Sequence, residues 1–298
     1  MIVIGSRGSA LALWQARHIQ TCLTELGAES RIEIIKTTGD KIQDVPLAKV
    51  GGKGLFTKEI EEALLAGTID VAVHSMKDVP TEIPAGLTIA AIPEREEARD
   101  ALVGCSLDEL NAGSRIGTSS LRRASQLRAL NRGLTIETLR GNVDTRLRKL
   151  DEGQYDAIVL AAAGLRRLGW QDRIRELIPS DIMCPSVGQG ALAIETRDDL
   201  GVAFHLVKKL DRPEARAAVE AERALLATLG GGCQVPVGAH ATLENGVVHL
   251  RAIVASPDGS TVIRGQLSGA DPAQTGSRLG CILLEQGARE ILAEVYSA

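Results

Sequence analysis

The sequence begins with Met1-Ile-Val-Ile-Gly-Ser-Arg-Gly-Ser9, in which a short apolar run leads into a glycine-serine turn. The run predicts a strand at residues 1–4, and the amphipathic pattern that follows predicts a helix at residues 10–26. A strand, a tight turn and a helix form the repeating unit of α/β proteins. The opening stretch therefore predicts an α/β fold.

The next residues continue the alternation of strand and helix. Residues 32–36 form a second apolar run, and residues 69–73 alternate apolar and polar side chains as a strand does. Between them, Thr57 is placed to cap a helix that ends before Gly67. This order of elements predicts sheets with mainly parallel strands.

A faint internal repeat relates two parts of the chain. Ile4-Gly-Ser, before the first helix, corresponds to Ile116-Gly-Thr, which precedes a predicted helix at residues 121–130. Thr38-Gly-Asp40 corresponds, in the same order, to Arg140-Gly-Asn142. The repeat predicts two similarly built α/β lobes with a ligand cleft between them. The alternative is that any two α/β segments share patterns this short.

The pattern changes after about residue 210. Pro213 begins a long alanine-rich helix that ends at Gly230-Gly-Gly232, and three strand-like runs follow it. The turn sequences Glu244-Asn-Gly246 and Pro257-Asp-Gly259 separate these runs. Asp271-Pro272 then begins a final helix. A helix, antiparallel strands and a helix predict a small α+β third domain.

Composition argues against several classes of function. The chain has 298 residues, a net charge of −4 and only 2% aromatic residues. Aromatic side chains on which bases could stack are therefore scarce. The negative net charge also gives no general attraction to phosphate backbones or anionic membranes. We expect neither nucleic acid nor a membrane as a partner. The N-terminus lacks the pattern of a signal peptide, and no apolar run is long enough to span a bilayer.

Cysteine and histidine usage points to a cytoplasmic protein without a metal. The five cysteines are scattered and show no C-x-x-C spacing: Cys22, Cys105, Cys184, Cys233 and Cys281. The five histidines show no ligand spacing either. We therefore expect no bound metal and no disulfide network, as is usual in the reducing cytoplasm.

Arginines cluster where strands are predicted to end and helices to begin. Gly117-Thr-Ser-Ser-Leu-Arg-Arg123 places hydroxyl residues before two adjacent arginines, and Arg140-Gly-Asn-Val-Asp-Thr-Arg146 brackets another turn. Arg7 lies in the first strand-to-helix loop, and Arg166-Arg167 follow a predicted strand at residues 157–162. Helix N-termini attract anions, and guanidinium groups bind carboxylates in a bidentate fork. The set predicts a ligand with several carboxylates, although each arginine alone also fits a solvated helix face.

A second candidate is His74-Ser-Met-Lys-Asp-Val-Pro80. A strand runs into polar residues here, and Pro80 ends regular structure just after Asp78. An ionised acid beside Lys77 can stabilise a cationic intermediate or transfer a proton. His74 is interpreted as a structural, hydrogen-bonding histidine, and Lys77 could equally be a surface charge.

The third candidate is Cys233, within Gly230-Gly-Gly-Cys-Gln-Val-Pro236. Glycines permit tight backbone turns, which would expose the thiol on a loop. An accessible thiol can be a nucleophile or a covalent attachment point, whereas most lone cysteines are inert. Gly51-Gly-Lys-Gly54 lacks the pattern of a phosphate-binding loop and is interpreted as a flexible segment.

Six motifs, in this order, resemble those of the porphobilinogen deaminase (hydroxymethylbilane synthase) family. They span nearly the whole chain and are Arg7-Gly-Ser-Ala-Leu-Ala-Leu-Trp-Gln15, Val50-Gly-Gly-Lys-Gly-Leu-Phe56, His74-Ser-Met-Lys-Asp-Val-Pro80, Gly117-Thr-Ser-Ser-Leu-Arg-Arg123, Arg140-Gly-Asn-Val and Gly231-Gly-Cys-Gln-Val-Pro236. The resemblance implies a transferase of tetrapyrrole biosynthesis. Such an enzyme condenses four porphobilinogen molecules on a covalent dipyrromethane cofactor and releases 1-hydroxymethylbilane by hydrolysis.

The resemblance also implies an architecture. Two lobes like those of periplasmic binding proteins would flank the catalytic cleft, and a small α+β domain would carry the cofactor. The implied domains are residues 1–94 with 188–209, residues 95–187 and residues 210–298. The enzyme would act as a cytoplasmic monomer, with porphobilinogen as its small-molecule substrate.

The resemblance assigns roles to residues of this chain. Cys233 would hold the dipyrromethane through a thioether, and Asp78, assisted by Lys77, would be the catalytic acid. The residues that would bind the cofactor are Cys233, Ser75, Lys77, Asp78, Thr118, Ser119, Ser120, Arg122, Arg123, Arg146, Gly188 and Gln189. The residues that would bind substrate are Arg7, Ser9, Gln15, Lys53, Phe56, Arg140, Asn142, Arg146 and Arg167.

Two other functions compete with this interpretation. A two-lobed binding protein would recognise a small polyanion without chemistry, and the third domain with Cys233 argues against it. A nucleotide-dependent transferase would need a phosphate-binding loop, and the sequence offers none.

Overall fold

The computed structural model describes residues 1–41, 54–231 and 235–297. These residues form two compact units, and each is discontinuous along the chain. The first unit contains Met1–Glu96 and Ala191–Arg216, and the second contains Glu97–Gly190 and Ala217–Ala298.

The helices and strands follow in chain order. Residues 1–96 form β1 (Ile2–Ser6), α1 (Ala10–Glu25), β2 (Ser30–Ile34), α2 (Thr38–Lys41), α3 (Lys58–Leu65), β3 (Val71–Ser75) and β4 (Leu87–Ala91). Residues 97–190 form β5 (Asp100–Val103), β6 (Arg115–Gly117), α4 (Leu121–Ala129), β7 (Thr135–Glu137), α5 (Val143–Asp151), β8 (Ala157–Ala161), α6 (Ala162–Arg167) and β9 (Glu176–Leu177). The remainder forms β10 (Leu192–Arg197), α7 (Val202–Lys208), α8 (Pro213–Thr228), β11 (Val237–Glu244), β12 (Val247–Ala255), β13 (Val262–Gly269), α9 (Pro272–Leu283) and α10 (Arg289–Ser297).

The first unit is built on a five-stranded sheet in the order β2-β1-β3-β10-β4. β1 runs parallel to β2 and β3, whereas β10 runs antiparallel to both β3 and β4. Strands β2, β1, β3 and β4 therefore share one direction, and the prediction of mainly parallel sheets is confirmed, with β10 as the antiparallel exception. A helical crossover keeps successive strands parallel, but β10 enters the sheet from a distant part of the chain without one.

The central strand β3 buries both of its faces. Val71 and Val73 pack in one cluster with Ile19 and Leu23 of α1. On the opposite face, Ala72 packs with α3 residues. Because side chains alternate along a strand, Ser75 shares the α1 face and His74 shares the α3 face.

The second unit repeats the same sheet plan. Its five-stranded sheet has the order β7-β6-β8-β5-β9, in which β6 is parallel to β7 and β8. Strand β5 is antiparallel to β8 and β9, as β10 is to its two neighbours. The strand-turn-helix of β1 and α1 has its counterpart in β6 and α4. The predicted pair of similarly built α/β lobes is confirmed.

The predicted α+β region also lies in the second unit. Strands β11, β12 and β13 form an antiparallel sheet, and its apolar side chains pack with those of α8, α9 and α10. The predicted single final helix is wrong, because Gly287 has a φ of 105° between α9 and α10. That backbone conformation favours glycine and interrupts the helix. The predicted boundaries of three domains remain a prediction.

Local expectations near the N-terminus hold with small shifts. The strand expected at residues 32–36 is β2, two residues earlier. Thr57 occupies the N-cap position of α3 but makes no side-chain capping hydrogen bond. Among the described residues, no helix combines the length and apolar character that crossing a membrane requires.

Glu222 of α8 is fully buried and ties three parts of the second unit together. Its Oε2 accepts a hydrogen bond from the Gly188 N–H at 2.7 Å, and its Oε1 accepts one from the Ala241 N–H at 2.8 Å. The helix thus anchors both the turn at Gly188 and strand β11. A carboxylate suits this position because both of its oxygens accept.

Replacing Glu222 by Gln should lower the free energy of unfolding by about 1–3 kcal/mol, because the new amide N–H₂ group faces a backbone donor. Urea denaturation followed by circular dichroism measures the loss. Glu285→Gln, at an exposed position of the same unit, is the control and should leave the midpoint unchanged. Equal midpoints for the wild type and Glu222→Gln would contradict this account.

Candidate active site

The end of strand β3 carries the predicted catalytic residues. After Ser75 the chain makes one turn of 3-10 helix over Met76–Asp78. The Met76 N–H donates to the Ala191 carbonyl at 3.0 Å, and the Val79 N–H donates back to the Met76 carbonyl at 3.1 Å. Lys77 and Asp78 are half-buried. The turn therefore presents both residues at the carboxyl end of a central strand, on a backbone held by its own and neighbouring hydrogen bonds.

A buried contact between His74 and Glu195 links the end of β3 to β10. Its Nε2 lies 3.0 Å from Oε2 of Glu195 on β10, and both side chains are buried. In the register, His74 lies opposite Ala193 and Glu195 lies opposite Ala72, so the pair is a diagonal contact on one face of the sheet. The interpretation of His74 as a structural, hydrogen-bonding residue is confirmed.

Glu61 of α3 adds a second buried carboxylate to this face. Burial raises its pKa, and the charge of Glu195 raises it further, while His74 opposes the rise. No sequence pattern distinguishes Glu61 or Glu195, because each is one acid among many in the chain. Only the packing of α3 and β10 against His74 brings them together.

Gln15 and Ser75 lie together on the other face of β3. The Gln15 Nε2 donates to Ser75 Oγ at 2.8 Å, and Gln15 is buried. Ser9 caps α1, accepting a hydrogen bond from the Ala12 N–H at 3.3 Å. Gln15, Ser75 and Ser9 thus each have a structural contact within the protein. Their contacts with substrate or cofactor remain predictions.

Arg7 and Phe56, both predicted to bind substrate, meet in the first unit. The guanidinium carbon of Arg7 lies over the Phe56 ring, 4.1 Å from its centroid. Lys53, also predicted to bind substrate, lies outside the described residues, as does most of the glycine-rich segment before Phe56.

In the second unit, Asp100 joins three predicted ligand residues. Arg122 Nη1 lies 2.7 Å from Asp100 Oδ2, and Arg123 Nη2 lies 2.8 Å from Oδ1. Gln189 Nε2 donates to the same Oδ1 at 3.0 Å. All four side chains are buried. Two arginines expected to bind ligand carboxylates therefore already bind a carboxylate of the protein.

The charges of this cluster are strongly coupled. Burial disfavours the ionised form of Asp100, but Arg122 and Arg123 outweigh it and hold the pKa of Asp100 well below its usual range. Two guanidiniums against one carboxylate leave the cluster with one net positive charge. The Cys184 and Val159 carbonyls accept further hydrogen bonds from these guanidiniums, at 2.7 and 3.0 Å.

The three hydroxyl residues before α4 make local contacts. Ser120 caps the helix by accepting from the Arg123 N–H at 3.4 Å, and Thr118 Oγ1 accepts from the Ser120 N–H at 3.2 Å. Ser119 Oγ donates to the Leu139 carbonyl. These bonds shape the helix start that was expected to attract an anion, and anion binding there remains a prediction.

The turn from Arg140 to Arg146 places its residues near the surface. Arg146 Nε donates to the Gly141 carbonyl at 2.7 Å, which folds the side chain back over the turn. Asn142 is exposed and occupies the N-cap of α5 without a side-chain capping bond. Arg140 and Arg146 are half-buried.

Two more predicted residues, Arg167 and Gly188, lie in the later part of the segment 97–190. Arg167, the last residue of α6, is buried and donates from Nη2 to the Gly190 carbonyl at 2.7 Å. Gly188 has a φ of 69° and is bound through its N–H by Glu222. Cys233, the predicted attachment point, lies outside the described residues.

Asp100 is the residue that sequence reasoning missed. Its signal was an acidic residue directly before the apolar run Ala101–Val103, where a buried carboxylate needs cationic partners. The adjacent arginines Arg122 and Arg123 were the complementary half of that signal. Residues from 22 to 89 positions away complete the cluster, so the pairing follows from the sheet topology.

Comparisons with known proteins bear on the family of this chain. A family model described as "Porphobilinogen deaminase, dipyromethane cofactor binding domain" matches residues 2–202. A second, described as "Porphobilinogen deaminase, C-terminal domain", matches residues 216–285. The two models follow each other along the chain and together account for most of it.

Full-length relatives agree with the models. A porphobilinogen deaminase of Syntrophobacter fumaroxidans is 53% identical over 307 residues, which cover 100% of this chain and 99% of that protein. One of Pelotomaculum thermopropionicum is 53% identical over 298 residues, which cover 98% of this chain and 96% of that protein.

Among solved structures, a periplasmic substrate-binding protein of an ABC transporter from Coxiella burnetii is similar at a TM-score of 0.44. It is 14% identical, and the match covers 72% of this chain and 93% of that one. A likeness this distant says nothing about ligand or activity. The two family models and the full-length relatives decide the matter: this chain belongs to the porphobilinogen deaminase family.

Proposed function

We propose that this chain condenses four porphobilinogen molecules, with loss of ammonia, and releases 1-hydroxymethylbilane by hydrolysis. The observation that carries the proposal is the ordered match of both family domains over residues 2–202 and 216–285. The first of these domains binds a dipyrromethane cofactor. When bound, the cofactor supplies the pyrrole carbon to which the first substrate ring is joined.

The buried cluster around Asp100 fits a cofactor with carboxylate side chains. Dipyrromethane made from porphobilinogen carries acetate and propionate groups, and guanidinium is the side chain best suited to bind them. Arg122 and Arg123 retain one net positive charge after pairing with Asp100. A further carboxylate neutralises that charge, which supports Arg122 and Arg123 as the residues that would hold the cofactor.

Asp100 acts in this proposal as a positioning residue. Its two oxygens fix the orientation of both guanidiniums, so little side-chain freedom remains to be lost when a ligand carboxylate binds. Gln189 Nε2 also donates to Asp100 Oδ1. The other residues that would bind cofactor are Cys233, Ser75, Lys77, Asp78, Thr118, Ser119, Ser120, Arg146, Gly188 and Gln189.

Asp78 would supply the acid chemistry. Loss of ammonia requires that the leaving amine be protonated and that the pyrrole carry the positive charge left behind. A carboxylate at the end of β3 can hydrogen-bond the pyrrole N–H and stabilise that charge. Lys77, in the same one-turn helix, would assist by binding a carboxylate of the ligand.

Guanidinium groups would bind the carboxylates of the substrate. Arg7 lies in the first unit, and Arg140, Arg146 and Arg167 lie in the second. The other proposed contacts are Ser9, Gln15, Lys53, Phe56 and Asn142. We further propose a cytoplasmic monomer, and the four described cysteines, which form no disulfide, support a reducing compartment.

Intact-mass spectrometry tests the function and the attachment point together. The freshly purified protein should weigh more than its polypeptide by one dipyrromethane, and porphobilinogen should add a ladder of pyrrole units within seconds. Cys233→Ser should abolish both the adduct and the ladder, because the thioether cannot form.

Cys281→Ser is the matched control, because Cys281 is an exposed cysteine of the same unit. It should keep the adduct and the ladder. Wild-type protein with neither would refute the transferase and favour a module that only binds polyanions. An adduct that survives Cys233→Ser would refute the attachment point alone.

Asp78→Asn should lower kcat by about a hundredfold or more, because the amide can neither donate a proton nor neutralise a cation. Steady-state release of product from porphobilinogen measures the loss. Asp198→Asn, an exposed change in the same unit, should leave kcat unchanged. A kcat for Asp78→Asn within threefold of wild type would remove Asp78 from the chemistry.

Asp100→Asn should lower the free energy of unfolding by about 3–5 kcal/mol, because it leaves two buried guanidiniums without their counter-charge. The folded state lowers the pKa of Asp100, so this stabilisation is complete above the unfolded pKa of about 4 and is lost as the pH falls below it. Urea unfolding at pH 7 and at pH 3 measures both effects. A difference between variant and wild type that does not shrink at pH 3 would contradict the ion pair.

A further inference from the structure

The guanidinium group of Arg7 stacks on the aromatic ring of Phe56. Both side chains are half-buried, and the guanidinium carbon lies 4.1 Å from the ring centroid. Only two of the 298 residues are phenylalanine, so few aromatic rings are present on which an arginine could stack. Arg7 lies in the loop between β1 and α1, and Phe56 directly precedes the N-cap of α3.

Gly39 lies against the Phe56 ring. A Cβ atom added to Gly39 would overlap with Cδ1 and Cε1 of Phe56 and would crowd the Leu55 carbonyl. The Gly39 N–H donates to that same carbonyl at 2.8 Å. The ring therefore lies directly against the backbone of α2, at a position where any side chain would displace it.

Two further hydrogen bonds close this arrangement. Both the backbone N–H and Oγ1 of Thr38 donate to Glu59 Oε1, at 2.7 and 2.5 Å. Glu59 belongs to the first turn of α3. Residues 38–39 are thus bound to residues 55–59 on both sides of Phe56, which fixes the ring with respect to α2.

This geometry is compatible with carboxylate binding. A carboxylate binds in the plane of a guanidinium, whereas an aromatic ring stacks on its face, so both contacts can form at once. A stacked arginine has already lost much of its side-chain freedom. It therefore loses less on binding a ligand than an arginine that moves freely.

We propose that Gly39 and Phe56 are positioning residues for Arg7: the ring, seated on Gly39, holds the guanidinium in place for a substrate carboxylate. The identity of that carboxylate, an acetate or propionate of porphobilinogen, rests on the proposed function. The role differs from a direct contact of Phe56 with the pyrrole, because here Phe56 acts through Arg7.

Fluorine NMR tests the stack without any turnover. Protein labelled with 4-fluorophenylalanine gives two resonances, from Phe56 and Phe204, and Phe204→Leu assigns them. Arg7→Gln and Gly39→Ala should each shift the Phe56 resonance and leave that of Phe204 in place. The unchanged Phe204 signal also shows that the variant has folded. A Phe56 resonance that neither variant moves would overturn the proposal.

Kinetics with porphobilinogen test the positioning role. Phe56→Leu and Gly39→Ala should raise KM roughly two- to tenfold with little change in kcat, and Phe56→Tyr should restore most of the loss. In an Arg7→Gln background the same changes should add nothing, because their effect passes through Arg7. Additive losses in that background would overturn the role and favour a direct contact of Phe56 with substrate.

The two proposals fail separately. A protein without turnover of porphobilinogen would overturn the proposed function and the positioning role, whatever the spectrum shows. A protein with normal turnover, additive variants and an unmoved Phe56 resonance would keep the function and overturn only the positioning role. Shifted resonances together with non-additive KM values support it.

Discussion

Taking a carboxylate out of water is unfavourable by several kcal/mol unless donors surround it, and this requirement organises both units. Asp100, Glu195 and Glu222 have no exposed surface. Asp100 draws in Arg122 and Arg123, Glu195 draws in His74, and Glu222 binds the backbone at Gly188. Each buried acid therefore fixes a segment that carries proposed ligand or catalytic residues.

The interior and the proposed ligand thus use the same chemistry. Guanidinium groups that bind Asp100 inside the protein belong to the set proposed to bind acetate and propionate groups of the cofactor. Donors held in place before the ligand arrives need little reorganisation, which is how preorganised charge assists both binding and catalysis. In the Arg7–Phe56 stack, an aromatic ring in place of a carboxylate holds the guanidinium group in position.

Local patterns predicted what depends on neighbours in sequence. The turn before Pro80, the repeated α/β plan and a strand at residues 69–73, two residues before the observed β3, could all be predicted, because periodicity and proline act within a few residues. The burial of Arg122 and Arg123 could not, since it depends on Asp100, more than 20 positions away. The antiparallel direction of β10 and the contact of Arg7 with Phe56 likewise depend on distant parts of the chain. Pattern alone suggested carboxylates, and only the resemblance between motifs suggested a pyrrole.

Strand β10 lies between β3 and β4, although about a hundred residues of chain separate it from them. During synthesis β3 and β4 leave the ribosome first, before the strand that pairs with both of them in the finished sheet has been made. The sheet of the first unit therefore lacks β10 until residue 197 has been synthesised. By then all of residues 97–190 have already been made. N-terminal regions usually fold first during translation, but here the N-terminal unit is completed only after the β-strands of the next sheet have been made.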